Sequence, residues 1–403
     1  MSGHRPKILF FSTQQMPPFW GGSEKFWYEV VSDQRVRKLF DCSVLLSDSP
    51  VTRTYGGVLQ MLGVAVGYDS DNPPSILQRV GRRLTRVVLG KSPPQCDHPW
   101  LIEAIDRCRP ALVWFNLATA GNATQLEHAS EVCRKRGVPY WLIVQHAWEQ
   151  FFFRDDKVIE QFAKVVEGAR RVVCVAKRNR AAVERMVGRR LRNVWMTVNA
   201  VSGDFIERAA VVAKDRPVRV HGPARLLNLA RFDPICKGQH ILFEILSDPT
   251  WRHREWVLVL QGGGGVGSLL KRQIAFYGLD PKRVELREHT SDVLSVIAES
   301  DLLVIPSLSE GMPFALVESL ACGRPAVGTP VGAIPELIIP GETGWLARSI
   351  EVADVAEALG HAWAERPCWS VYGENGRELV AAAYNQDRTF ADLIGCIQED
   401  IGT

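Results

Sequence analysis

The 403-residue chain has no CxxC pair, no low-complexity tract, no short-period repeat, no marked excess of either charge and no long uninterrupted apolar run. Each absence removes a class of function. Nine cysteines, odd in number and scattered, fit free thiols in a reducing compartment and leave neither a disulfide framework nor a zinc site. Lys and Arg total 48 against 45 Asp and Glu, so the basic excess that a nucleic-acid backbone demands is missing. Nothing approaches the ~20 apolar residues of a membrane span. The stretch Lys7–Ser12 (KILFFS) is too short for a secretory leader and lacks a small-residue cleavage site after it. It reads as a first buried strand, and the expected location is cytoplasmic. What remains is ordinary globular composition, 46% hydrophobic and 23% charged, in a length that suits two or three domains.

Short β-rich apolar runs alternate with segments of helical period. The strands predicted in the first half are 7–13, 43–47, 111–117, 140–146, 171–176 and 194–199; those in the second are 225–231, 256–261, 284–288, 301–306 and 325–329. Continuous apolar strands separated by helices imply parallel sheets covered on both faces. Two such series imply two doubly wound α/β domains. The charged stretch 202–221 reads as the break between them, and after 350 the pattern is helical. Because open parallel sheets bind ligands beyond the carboxyl ends of their strands, the segments just after each strand carry the functional information.

The most informative segment is 301–345. A strand ends at Pro306, Glu310 and Gly311 follow, Pro313 suits the first position of a helix, and Gly323 suits its end. The start of that helix is a natural anion site. Glu318 lies about 7.5 Å along its axis at roughly 1.5 Å per residue, so one carboxylate flanks each side of a bound anion. A diphosphate between two hydroxyl-rich sugars fits, because carboxylates accept hydrogen bonds from hydroxyls; two solvated glutamates is the plainer account. In 228–240 (NLARFDPICKGQH), Arg231 ends a strand and Lys237-Gly238 opens the next helix, two cations placed to neutralise a diphosphate. Gly21-Gly22 follow the first strand and allow either close backbone approach to a ligand or a tight turn. His146 ends an apolar strand where a sugar hydroxyl or phosphate is in reach, and Trp148 offers a sugar an apolar face; a structural histidine is the alternative.

Three further features compete for attention. Gly262, Gly264 and Gly267 in QGGGGVG satisfy a dinucleotide fingerprint, with Glu285 and Glu288 about 20 residues on. That run, however, follows the second strand of its domain rather than the first. Asp69-Ser70-Asp71 resembles a metal-binding DxD, but its polar, Pro-rich surroundings suit a turn, and no metal is expected. Residues 76–91 place Ile76, Leu77, Val80, Leu84, Val87 and Val88 on one helical stripe, with Arg79, Arg82, Arg83, Arg86 and Lys91 around the rest. Such a helix fits peripheral contact with the inner face of an anionic membrane, an anionic acceptor, or a core-packed helix with a solvated basic face.

Together, SEGMPFALVESLACGRPAVGTPVGAIPELI with GETGWL, the Arg231 and Lys237-Gly238 pair, the Gly21-Gly22 loop, His146 and VNAVSGDF near Asn199 resemble retaining glycosyltransferase family 4 (glycosyl transferases group 1), over essentially the whole chain. The resemblance implies a GT-B fold, two Rossmann-like doubly wound parallel-sheet domains facing across a cleft. These would be 1–205 on the acceptor side, 206–380 on the nucleotide-sugar side, and a C-terminal helix in 381–403 packing back toward the first. It implies a nucleotide-diphosphate-sugar donor, a glycan, lipid-linked or small-molecule acceptor, and no cofactor or metal. By the same resemblance, Arg231 and Lys237 bind the diphosphate, Glu310 contacts the donor sugar, Glu318 the ribose, and Gly311, Met312, Pro313 and Phe314 line the phosphates. His146 sits near the transferred sugar, Gly22 near the diphosphate, and Gly262 and Gly263 in a turn beside the nucleotide. Family members often carry a glycine where this chain has Arg287-Glu288-His289, which leaves Glu288 and His289 near the base and the base unassigned. The rivals are a nucleotide-sugar epimerase, a sugar phosphorylase, a non-catalytic binder, or an NAD(P)-dependent oxidoreductase built on Gly262–Gly267.

Overall fold

In the computed structural model, which describes residues 5–13, 22–69 and 98–402, strand β1 (Lys7–Ser12) buries both of its faces. Ile8 and Phe10 join one apolar cluster, Leu9 and Phe11 another. A strand buried on both sides needs cover above and below, and parallel neighbours bring it through their crossover helices. Around β1 the chain builds a parallel sheet from β2 (Asp41–Leu46), β3 (Ala65–Tyr68), β4 (Leu112–Leu117), β5 (Tyr140–Val144), β6 (Arg171–Cys174) and β7 (Val194–Met196), in the order β3-β2-β1-β4-β5-β6-β7. The second sheet holds β8 (Ala224–Leu229), β9 (Trp256–Gln261), β10 (Val284–Arg287), β11 (Leu302–Ile305), β12 (Ala326–Gly328) and β13 (Gly344–Leu346), ordered β10-β9-β8-β11-β12-β13 and again parallel.

All eleven strands expected from the sequence form. The two not foreseen, β3 and β13, are short edge strands that contain or begin with glycine, and β3 is only partly buried. Neither carries the run of apolar residues that marks a central strand. The stretch 202–221, expected as a linker, holds a helix instead, Gly203–Asp215, whose first turn is capped by the Ser202 hydroxyl accepting from Phe205 N–H at 3.1 Å.

The chain divides into two compact units, Met1–Thr197 with Phe390–Thr403, and Val198–Thr389. The division falls at 197/198, where 205/206 was expected, and at 389/390, where 380/381 was expected. The reason is local pairing. Val201 bridges Asn385, Val201 N–H donates to Tyr384 O, and Gln386 N–H returns to Val201 O, both at 3.0 Å. The residues after Thr197 are thereby tied into the second unit.

The helix Gln386–Ile401 then supplies the first unit with Phe390, Leu393, Ile394 and Ile397, all buried on the face that holds Ile8, Phe10, Trp114 and Trp141. Asp400 fixes its end. Its carboxylate accepts from Trp141 Nε1 at 2.8 Å, Arg171 Nε at 2.6 Å and Arg170 Nε at 2.9 Å, and it is almost fully buried. The stretch 76–91 lies outside the described residues, as do Gly21 and Asp71. Among the described residues no helix is long and apolar enough to cross a membrane.

Replacing Asp400 by alanine strands a buried indole N–H and a largely buried guanidinium at once. We expect a loss of about 2–3 kcal/mol, read as a lower denaturant midpoint of the first unit, with Asp400→Asn intermediate because it keeps an acceptor for Trp141.

Candidate functional site

In the second sheet, the first strand in sequence, β8, is flanked by β9 on one side and β11 on the other. The connections leaving β8 and β11 therefore turn in opposite directions, and the crevice between the carboxyl ends of these two strands is the switch point where such sheets bind ligands. Arg231 follows β8; Pro306 and Ser307 follow β11.

Two glycines let the backbones at this crevice close on each other. Gly238 has φ +61, and a Cβ there would stand 2.1 Å from Pro306 O. Only glycine tolerates both the left-handed conformation and the contact. Leu308 N–H donates to Cys236 O at 2.8 Å across the same gap. Gly332 has φ +54, and a Cβ there would lie 2.2 Å from Gly311 O, to which Ala333 N–H donates at 2.7 Å. Asn199, buried, holds the loop from a third side, donating from Nδ2 to Met312 O at 2.9 Å.

The loop so pinned sets Glu310 against Lys237. Lys237 Nζ donates to Glu310 Oε1 at 2.6 Å, and Ser307 Oγ donates to the same oxygen at 2.8 Å. The carboxylate is buried and the ammonium mostly so. Lys237 does not open the long helix, as its position beside Gly238 suggested. It ends a four-residue helix, Pro234–Lys237, and Gly238 separates this from Gln239–Ser247. Arg231 stands further out: its side chain is 47% exposed, with Nη2 3.3 Å from Asp233 Oδ2. Its carbonyl is fixed by Gln239 Nε2 at 2.7 Å.

Pro313 caps the helix Phe314–Ala321, which carries the buried Glu318. Gly323 follows at φ +68, so the expected start and stop of this helix hold. The side chains of Met312 and Phe314 are buried, which leaves their backbone, not their side chains, to face a ligand.

The glycine run has an account of its own. A Cβ on Gly262 would sit 1.9 Å from Ala230 O, and one on Gly264, at φ +151, 2.8 Å from Phe232 O. Phe232 N–H donates to Gly263 O at 2.9 Å. These glycines let the loop after β9 pack on the loop after β8, so the fingerprint spacing needs no dinucleotide to explain it. Glu288 and His289 are exposed beyond the edge strand β10, where Glu288 O accepts from Gln261 Nε2 and Arg287 O from Gly262 N–H. They neighbour the Gly262–Gly263 turn and stand apart from the β8–β11 crevice.

In the first unit the switch point lies between β1 and β4. Gly22, exposed, opens the helix Gly22–Ser32 after β1. Two residues on is a group that the sequence reasoning passed over. Glu24 is buried, with Oε1 accepting from Ser12 Oγ at 2.9 Å and Asn116 Nδ2 at 3.3 Å, and Oε2 from Trp27 Nε1 at 2.5 Å. It ties the ends of β1 and β4 to the first turn of the helix. Burial pushes its carboxyl up to about 7, against the opposing pull of those three donors. The available signal was an acid in a first helical turn directly after Gly21-Gly22.

His146 follows β5, its carbonyl accepting from Ala120 N–H at 2.8 Å and its ring meeting Trp148 edge-on at 5.4 Å. Asp69 accepts at Oδ1 from Asp48 N–H at 2.8 Å, which joins the chain just after β3 to the chain just after β2. Among the described residues no three His, Cys, Asp or Glu side chains converge as a metal site would require.

Residues 223–365 match the family model described as Glycosyl transferases group 1. An uncharacterised glycosyltransferase of Methanocaldococcus jannaschii is 28% identical over 143 residues, 36% of this chain and 39% of that protein. The N-acetyl-alpha-D-glucosaminyl L-malate synthase of Bacillus anthracis is 33% identical over 97 residues, 24% of this chain and 26% of that protein. The matches thus span well under half the length of these relatives. Among solved structures, HepE of Anabaena in complex with UDP superposes with a TM-score of 0.73 at 18% identity, covering 98% of this chain and 100% of that one. The two parallel-sheet units have the GT-B fold.

The Glu24 cluster carries a pH dependence of fixed sign. A folded-state value above the ordinary 4.5 means that folding favours the protonated carboxyl. This stabilisation is complete below about pH 4.5 and is lost as pH rises through 7. A shift of that size is worth at most about 3 kcal/mol. Denaturant midpoints of the wild type should fall from about pH 5.5 to about pH 8.5, and Glu24→Gln, neutral throughout, should remove most of that fall.

Proposed function

We propose that the protein is a retaining, metal-independent glycosyltransferase that moves a sugar from a nucleoside-diphosphate-sugar to an acceptor hydroxyl. The observation that carries this is the Lys237–Glu310 contact at 2.6 Å, at the switch point of the sheet whose residues match group 1 glycosyltransferases. That HepE has been solved with UDP and with UDP-glucose supports a donor of this chemical class.

In the proposed reaction, the bond from the anomeric carbon to the β-phosphate oxygen breaks, and negative charge builds on the leaving diphosphate. The Lys237 ammonium has three protons and gives one to Glu310, while the Arg231 guanidinium has five N–H groups at the mouth of the same loop. The remaining donors, with the partial positive charge at the start of the helix Phe314–Ala321, stabilise the leaving group. Glu310 accepts from hydroxyls of the transferred sugar, and Glu318 from the ribose. Retention places the acceptor on the leaving-group face, so the departing phosphate oxygen takes the acceptor proton and no side chain serves as nucleophile. His146, at the carboxyl end of β5, offers a ring N–H to a sugar hydroxyl.

A thermal-shift series with nucleoside diphosphates should single out one base, since a ligand at a hundred times its Kd adds ~2.7 kcal/mol. Arg231→Ala and Lys237→Ala should each lower turnover by about 10²–10³-fold, and Glu310→Gln should do the same without abolishing the diphosphate shift. Near-normal turnover in the Arg231→Ala, Lys237→Ala double variant would refute the assignment.

A further inference from the structure

The first unit holds an apolar cavity of about 460 Å³ beyond the carboxyl ends of β4 and β5, lined by Thr119, Gly121, Trp148, Gln150, Phe151 and Met186. We infer that this cavity binds an uncharged aromatic aglycone of the acceptor. The inference rests on the glycosyltransferase function proposed above and adds to it the acceptor's chemical class.

Four observations point this way. Among the described residues the lining includes no charged side chain, which disfavours a phosphate or a nucleotide, because an anion needs paired cations or donors where water is displaced. Two ring walls and a thioether, Trp148, Phe151 and Met186, suit a flat π-system better than a sugar rich in hydroxyls. Phe151 is 43% exposed, so apolar surface of the lining stands uncovered. The volume falls within the range of small-molecule sites, enough for a ring pair and well short of a long prenyl chain.

The wall is also built in advance. Glu149, between Trp148 and Gln150, takes Arg178 Nε at 2.8 Å and Nη2 at 2.5 Å, and its carbonyl accepts from Arg185 Nη2 at 3.0 Å. Both arginines project from the helix Lys177–Val187, which also carries Met186. The loop therefore keeps its shape without a ligand, which lowers the entropy cost of binding. The same loop begins at His146, whose ring packs on Trp148 and whose carbonyl holds Ala120 beside Thr119 and Gly121. A ring seated in the cavity would place a glycosidic substituent toward the strand ends, on the side of His146. Gln150 and Thr119 supply the polar atoms to orient it.

The test uses the full chain and 2-naphthyl β-D-glucopyranoside as probe, followed by saturation-transfer NMR. Saturation should concentrate on the naphthyl protons and fade along the sugar. A Cβ on Gly121 would meet Phe151 Cε1 at an ordinary 3.8 Å, so Gly121→Leu fills the cavity from a tolerant position. It should weaken the probe at least tenfold, while leaving unchanged the unfolding midpoint and the thermal shift with the nucleoside diphosphate that the series above selects. Trp148→Ala should weaken it similarly, and Phe276→Ala, an exposed aromatic on the second unit, should not. Even saturation over probe and sugar, or undiminished binding in Gly121→Leu, would overturn the assignment. So would octyl β-D-glucopyranoside binding as tightly as the naphthyl glucoside. A chain that shifts with a nucleoside diphosphate but ignores the probe loses only the aglycone site. A chain that binds the probe and shifts with no nucleoside diphosphate loses the transferase function, and with it the acceptor role of the cavity.

Discussion

Two backbone approaches too close for any Cβ govern the second unit. At Gly238 the loop after β8 lies on the carbonyl of Pro306, and at Gly332 the loop after β12 lies on the carbonyl of Gly311. Between them the chain Ser307–Pro313 has little freedom, and Glu310 is delivered to Lys237, 73 positions earlier in the sequence. A methyl group at either glycine would separate the strands of the crevice before it disturbed any charged group. The ion pair is a consequence of the packing. This ordering matters because a lysine and a glutamate brought together by flexible side chains would hold no fixed geometry, whereas here both are aimed by the backbone that carries them.

Much of this was readable before any coordinates. Eleven strands could be placed because central parallel strands are continuous apolar runs, and the rule that ligands sit beyond their carboxyl ends then selected Arg231, Lys237, Glu310 and His146. What escaped did so for physical reasons. The edge strands β3 and β13 are four and three residues long, and β3 is only partly buried, so neither shows the apolar run of a central strand. The helix Gly203–Asp215 buries little, Ala209 alone among its residues being fully buried, and its charged surface looks like a linker. Glu24 was missed because an acid in a first helical turn usually signals a solvated cap. Nothing local reveals that Ser12, Trp27 and Asn116, the last 92 residues away, converge on it. The glycine run misled in the opposite direction. Its spacing matched a phosphate loop, yet Gly262 and Gly264 answer to the carbonyls of Ala230 and Phe232.

The two switch points treat a buried carboxyl in contrasting ways. Glu310 sits beside an ammonium and a hydroxyl, an environment that compensates its charge directly. Glu24 has three neutral donors and no cation among those partners, and burial outweighs them. The first arrangement suits a site that must exchange partners with a charged ligand, since the pair already contains the cation the ligand needs. The second suits a joint, because a carboxyl near neutrality binds its donors at modest electrostatic cost and holds β1, β4 and the helix Gly22–Ser32 together.

A preformed Lys237–Glu310 pair carries a further implication for the proposed reaction. Removing an ammonium from water is expensive, and a carboxylate partner offsets that cost in the folded chain. When a diphosphate arrives, the ammonium need not be moved or dehydrated afresh; it turns remaining protons toward phosphate oxygens while Glu310, still held by Ser307, faces the sugar. The reorganisation has been completed by folding, which is the condition under which oriented charges lower a barrier most. Arg231 is different. Half exposed and only loosely set against Asp233, it would in the proposed reaction be drawn in and ordered by the diphosphate. On this account Lys237 acts chiefly on the chemical step, whereas Arg231 acts on donor capture as well. The proposed division of work between these two cations follows how deeply the fold has buried each.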